Sequence, residues 1–217
     1  PFPIGLLLSA WMLASCGGET AERPVTQLAV ERIKAPAFSS DSAYGYIQSQ
    51  VDFGPRVPNS KAHVACGDWL ANELTRHGAV VIEQPGRVRA YDGTVLEMRN
   101  IIGQFRPQNQ ERIMLYAHWD TRPFADKDTI RIREPIDGAN DGGSGVGVLL
   151  EVARILGSDT TLDVGIDVIF FDAEDYGAPE WANTGNGSLS TWCLGSQFWA
   201  NHPHKFGYQA KYGILLD

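Results

Sequence analysis

The sequence predicts an α/β fold, a three-layer α/β/α sandwich around a central mixed β-sheet. Three observations carry this reading. Residues 164–171 are a near-continuous β-branched and aromatic run, the pattern of a strand buried on both faces. Residues 142–156 set Val146, Leu149, Leu150, Ala153 and Leu156 at helical spacing just before it. Segments bearing acids or histidine follow two apolar runs and open that helix: Ala117-His118-Trp119-Asp120, the Gly-rich 138–145 and Phe171-Asp172-Ala173-Glu174-Asp175. Polar ligand-type residues at strand carboxyl ends beside a helix start are how open α/β sheets build sites.

The remaining elements follow in order. Residues 41–51 carry Ala43, Ile47 and Val51 four apart, behind a cap at Ser39, Ser40 or Asp41: a helix. Residues 53–58 hold a glycine and two prolines and form a loop. Residues 60–76 form a second helix with Cys66, Leu70 and Leu74 on one face, stopped by His77-Gly78. Cys66 is therefore a small core residue. His63 and His77 have no ligand partners nearby in the sequence. Residues 80–84, 87–91, 100–105 and 112–117 read as strands, with antiparallel neighbours among them. Residues 178–191 are an irregular insertion, 192–201 a helix that carries Cys193 inside, and 212–216 a further buried strand.

Composition narrows the function. The 217 residues suffice for one large domain with a real core. A net charge of -8 argues against nucleic acid as a partner, which would call for a basic patch. Three cysteines, at 16, 66 and 193, make neither a disulfide framework nor a CxxC pair. Residues 4–14 are almost all apolar but too short to span a membrane, and they end in Leu13-Ala14-Ser15-Cys16-Gly17. This reads as residues 1–16 of a lipoprotein signal peptide with Cys16 as the lipidated residue, followed by a flexible tether over 17–40 and a catalytic domain over 41–217. The expected location is the bacterial cell envelope, periplasm-facing or at the surface, with the membrane reached through the lipid anchor. The chain starts at Pro1 and stops at Asp217 straight after an apolar run, so it reads as a piece of a longer protein.

Glu174-Asp175 is the sharpest chemical signal. Two adjacent carboxylates behind a buried strand are costly unless a cation or a shared proton offsets them. A divalent metal takes one as a ligand and leaves the other as general acid/base. Asp141 stands just before a Gly-rich helix start; it either caps that helix or, if Asn140 caps instead, is free for a ligand role. In His118-Trp119-Asp120 the acid can orient the imidazole. Asp172 points away from that face. Asp217, at the end of an apolar strand, is odd for packing and natural for a site. Imidazole and carboxylate ligands suit Zn²⁺ better than Ca²⁺.

Taken together, A-H-W-D, G-A-N-D-G-G-S-G, F-F-D-A-E-D and Y-G-I-L-L-D resemble the zinc-dependent aminopeptidase superfamily. H-W-D-T-R-P at 118–123, the insertion after E-D-Y-G and W-C-L-G-S-Q at 192–197 resemble its bacterial glutaminyl cyclase branch. The resemblance covers about residues 53–217. It implies a zinc aminopeptidase-like fold, Asp141 and Asp175 as zinc carboxylates, Glu174 as general acid/base and Asp217 as an acid beside the reacting centre. It implies Trp192 in the substrate pocket and His118 as a second-zinc ligand in the two-metal aminopeptidases only. One zinc per chain goes with a cyclase that acts on peptides bearing N-terminal glutamine, and two go with an aminopeptidase. An inactive scaffold is a third reading, which an intact Glu174 speaks against. The family's last zinc ligand, a histidine in the C-terminal third, has no counterpart here. His202 and His204 fall too early, so these residues alone are expected to bind zinc weakly and to lack activity.

Overall fold

The computed structural model describes residues 34–182 and 191–217. The signal peptide, most of the tether and Cys16 lie outside the described residues, as do residues 183–190 of the insertion. Among the described residues, four helices and five strands are arranged as α1 (Ser40–Asp52), α2 (Lys61–Arg76), β1 (Val80–Arg89), β2 (Val95–Phe105), β3 (Arg112–His118), α3 (Gly143–Ser158), β4 (Gly165–Phe171), α4 (Leu194–Asn201) and β5 (Gly213–Leu215). The helix starts are set by local chemistry. The Ser39 hydroxyl accepts from the amide of Ser42 and caps α1, and Ser60 does the same for His63 in α2. Gly78, at φ +86°, ends α2.

The sheet runs β1-β2-β4-β3-β5. β1 pairs antiparallel with β2, and β2 with β4; β4, β3 and β5 run parallel. The sheet is therefore mixed, as the sequence predicts. Every residue of β4 is buried, which is the expected state of a central strand covered on both sides. One face, with Ile101, Phe105, Ala117, Ile166, Val168 and Phe170, packs on α2 and α3 through Cys66, Leu70, Leu74, Val146, Leu149 and Leu150. The other face carries Ile102, Ile169 and Phe171 and meets Trp199 of α4. The result is three layers.

Three strand readings change. Residues 80–84 and 87–91 are one strand, β1, because Pro85 and Gly86 stay inside it. β1 lies at the sheet edge, where a residue without an N–H is tolerated. β2 begins five residues before the expected Asn100 and extends the hairpin with β1. Residues 212–216 do not form a buried strand: β5 spans three residues on the opposite edge, with Ile214 and Leu215 about half exposed. The helix expected over 192–201 starts only at Leu194 and leaves Trp192 and Cys193 ahead of it.

Polar residues inside the layers find partners far away in sequence. Arg112 and Asp167 form a buried fork, with Nε and Nη2 each 2.6 Å from a carboxylate oxygen. Tyr208 and Gln104 donate to the same carboxylate. Burial pushes the Asp167 pKa up, but these donors outweigh it and hold the carboxyl below its usual range. In the full-length protein, Arg112→Met should cost about 3 kcal/mol in urea unfolding, because it strands a buried carboxylate. A loss under about 1 kcal/mol would contradict this account. The pair's contribution should be complete above the unfolded carboxyl pKa of about 3.9 and disappear as pH falls through the lower folded-state value.

Candidate active site

The carboxyl ends of β3 and β4 and the start of α3 converge on one cluster. His118 is the last residue of β3, and its register partner Phe171 is the last of β4. The parallel pairing therefore puts the segments after each strand side by side, as a switch between neighbouring strands requires.

His118 is buried, and its Nε2 lies 2.9 Å from Asp141 Oδ1 and 3.6 Å from Asp217 Oδ1. Among the described residues, His118, Asp141 and Asp217 form the one group whose ligand atoms, all within 4.8 Å of one another, could hold a metal ion. The two acids are half exposed, so the group opens to solvent on their side. On its other side Asp141 faces the Asp175 carboxyl. Asp175 is nearly buried, and its Oδ2 has no hydrogen-bond partner.

The helix start explains why Asp141 is available. The N-cap of α3 is Gly142, and no side chain caps it. The carbonyl of Asn140 accepts from the amide and the hydroxyl of Ser144, so neither Asn140 nor Asp141 spends its side chain on the helix. Gly142 has φ +77°, and a Cβ there would lie 2.9 Å from the Asp120 carbonyl and 3.0 Å from His118 Cε1. Only glycine allows this approach.

Asp120 is fully buried, and its carboxylate is taken up by backbone amides rather than by a hydrogen bond to His118. Its Oδ1 accepts from the Glu174 amide at 3.0 Å and its Oδ2 from the Asp175 amide at 3.1 Å. His118 Nδ1 lies 3.5 Å from Oδ1 and makes no hydrogen bond. Asp172 faces away from this cluster: it accepts from the Arg99 and Ala173 amides and binds His63 at 2.8 Å. His63 in turn stacks on Trp119, with centroids 4.4 Å apart. The histidine without a partner in sequence thus pairs with an acid 109 positions away.

The electrostatics describe a cluster with surplus negative charge. Burial pulls the His118 pKa down, but the carboxylates of Asp120 and Asp141 outweigh it and raise it to about 11. Burial and then Asp120 push Asp175 up to about 7. Glu174 is raised as well, chiefly by burial. An orphaned buried carboxylate oxygen and an imidazole set among acids make a negatively charged group that a divalent cation would neutralise, so the donor set fits a metal ion. Imidazole and carboxylates favour zinc among the common choices.

Cys193 sits beside Glu174, with its thiol hydrogen-bonded to that carboxylate and its backbone N–H donating to the Glu174 carbonyl at 3.0 Å. It is half-buried, in a left-handed conformation at φ +53°. Trp192, next to it, packs under the Arg122 guanidinium at 4.6 Å. Sequence reading missed three supporting residues. Arg122 stands in the T-R-P that follows His118-Trp119-Asp120. Arg56 is fully buried and donates to the carbonyls of Trp119, Asp137 and Gly138; its signal was a lone arginine in the Gly-Pro loop. Cys193 was read as a residue inside the helix. His204 lies elsewhere: it accepts from Trp199 Nε1 and rests on Tyr208.

Known proteins place this arrangement. A glutaminyl cyclase of Bacteroides thetaiotaomicron, solved with N-acetylhistamine, is 54% identical with a TM-score of 0.82, over 85% of this chain and 63% of that one. A Zn-dependent exopeptidase of Parabacteroides distasonis is 57% identical with a TM-score of 0.81, over 85% and 63%. A glutaminyl cyclase of Tannerella forsythia is 55% identical with a TM-score of 0.80, over 84% and 62%. The chain thus spans a little under two thirds of each of these structures. Aminopeptidase YwaD of Bacillus subtilis is 39% identical over 82 residues, which are 36% of this chain and 15% of that protein. The sequence model of Peptidase family M28 matches residues 100–217, more than half of the chain and all of the cluster described above. The chain belongs to Peptidase family M28.

Proposed function

We propose that the protein is a zinc-dependent glutaminyl-peptide cyclotransferase, which converts N-terminal glutamine of peptides to pyroglutamate with release of ammonia. One observation carries the chemistry. Glu174 is a partly buried carboxyl with a raised pKa, and it stands next to a set of metal-type ligands. A partly buried carboxylate beside a cation site is placed to act as the base in amide chemistry. Likeness above 50% identity to structures described as glutaminyl cyclases supports the choice of reaction.

Asp141 and Asp175 would hold the zinc. When bound, the ion supplies positive charge for the oxygen of the attacked carbonyl. The rest falls to the chain. Glu174 takes a proton from the substrate's α-amine, which forms the new C–N bond to the side-chain carbonyl carbon. The bond from that carbon to the amide nitrogen breaks, and Glu174 returns the proton to the departing ammonia. Asp217 orients the amine, and Trp192 lines the pocket for the glutamine side chain. Asp120 keeps Glu174 and Asp175 in register through their amides.

A second reading has its own observation. His118, Asp141 and Asp217 come within metal-binding reach of one another. That favours a two-zinc aminopeptidase, in which Asp141 is shared and Glu174 activates water. We also propose that Cys16 carries a lipid anchor facing the periplasm or cell surface; no described helix is long and apolar enough to cross a membrane.

The full-length enzyme should release ammonia from a glutaminyl peptide and leave an aminoacyl amide intact. Hydrolysis of the amide with N-terminal glutamine left open would establish the aminopeptidase instead. Metal analysis should find one zinc per chain; two would favour the second reading. Glu174→Gln should lower kcat by about a thousandfold or more and keep its zinc, and retained turnover would remove both mechanisms. Expression in a bacterium fed labelled fatty acid should label the protein, and Cys16→Ser should abolish the label.

A further inference from the structure

Arg122 lies two residues beyond Asp120 and uses both the edges and the face of its guanidinium. Nε is 2.7 Å from Asp126 Oδ1, and Nη2 holds Oδ2 of the same carboxylate. Nη1 donates to the backbone carbonyls of Asp175 at 3.0 Å and Gly177 at 3.3 Å. The flat face lies over the Trp192 ring. Only 11% of the side chain is exposed. Gly177 contributes the other contact, since a Cβ there would lie 1.9 Å from Trp192 Cε2. The indole is therefore seated against the backbone at 177 as well as the guanidinium. Three segments far apart in sequence meet here: the loop after β3, the acids after β4 and the approach to α4.

This geometry separates Arg122 from a generic surface cation. Its fork is fixed by Asp126 and two carbonyls, so the face it offers to Trp192 has one orientation. Asp175 does not depend on it alone, because Asp120 holds the same residue from the N–H side. A lysine would keep the charge and lose both the fork and the stacking plane.

We propose that Arg122 is a positioning residue of the substrate pocket, which holds the Trp192 ring in place against Gly177 and so sets how tightly the substrate's N-terminal residue is seated. The proposal rests on Trp192 lining the pocket, as read above.

The test uses the full-length zinc enzyme with Arg122→Lys, Arg122→Ala, Trp192→Ala, Trp192→Phe and the double variant Arg122→Ala/Trp192→Ala. Arg122→Lys should raise KM about tenfold and change kcat by less than about threefold, with zinc content unchanged. The double variant should lie within about twofold of Trp192→Ala in KM, since Arg122 acts through the ring. A readout independent of turnover is acrylamide quenching of the Trp192 fluorescence, taken as the difference from Trp192→Phe. It should rise about twofold on Arg122→Lys. Quenching at the wild-type level overturns the proposal whatever KM does. An unchanged KM in active Arg122→Lys overturns it too, as does additivity in the double variant. If Arg122→Ala fails to fold, Arg122→Lys and Asp126→Asn carry the same measurements. A wild-type enzyme that turns over neither glutaminyl peptide nor aminoacyl amide would defeat the functional reading, and quenching alone would then decide on Arg122.

Discussion

The buried Asp120 carboxylate is the interaction on which the rest of the site depends. The Arg56 guanidinium and the His118 imidazole lie near it, and its two oxygens accept from the amides of Glu174 and Asp175. Two backbone donors to a charged acceptor are strong enough to fix a turn. That turn sends the two neighbouring side chains to different jobs, one toward Asp141 and one toward Cys193. Without the internal acceptor, two successive N–H groups behind a buried strand would be unsatisfied, at about 1–3 kcal/mol each.

A second constraint is backbone strain on both sides of Glu174. Ala173 and Cys193 both adopt left-handed conformations, at φ +52° and +53°. Neither is glycine, so each costs of order 1 kcal/mol or more. They persist because they face each other across a short ladder. The amides of Cys193, Leu194 and Gly195 donate to the carbonyls of Glu174, Ala173 and Asp172 in turn. Gly195 permits the approach, since a Cβ there would lie 2.1 Å from the Asp172 carbonyl. The start of α4 thus braces the acids that follow β4. In the proposed reaction, a carboxylate held in this way keeps its position when charge develops next to it, as preorganisation requires.

Much of this layout was legible before any coordinates. β4 and α3 announced themselves by periodicity, because a fully buried strand and an amphipathic helix leave unmistakable patterns. His118, Asp141, Glu174, Asp175 and Asp217 stood out because polar groups at the ends of apolar runs need a reason to be there. Edges were harder to read. Pro85 looked like a strand break, although an edge strand tolerates it, and whether a strand is an edge depends on its neighbours. Residues 212–216 looked buried because they are apolar; among the described residues they pair with β3 on one side only. In the sheet they lie at its margin.

The sequence by itself determined the α/β class, the presence of α1, α2 and α3 and the order in which the ligand-type residues arrive. All of these follow from local pattern, in which each residue speaks through neighbours a few positions away. Only the tertiary structure decided which partners those residues take. His63 found Asp172, Arg112 found Asp167, and Arg122 found Asp126, Gly177 and Trp192. Such pairings depend on strand register and loop closure over tens of residues, and no local rule reports them. Asp141 shows the division most plainly. Its type and place suggested either a cap or a ligand, and the carbonyl of Asn140, by taking Ser144, left its carboxylate facing His118.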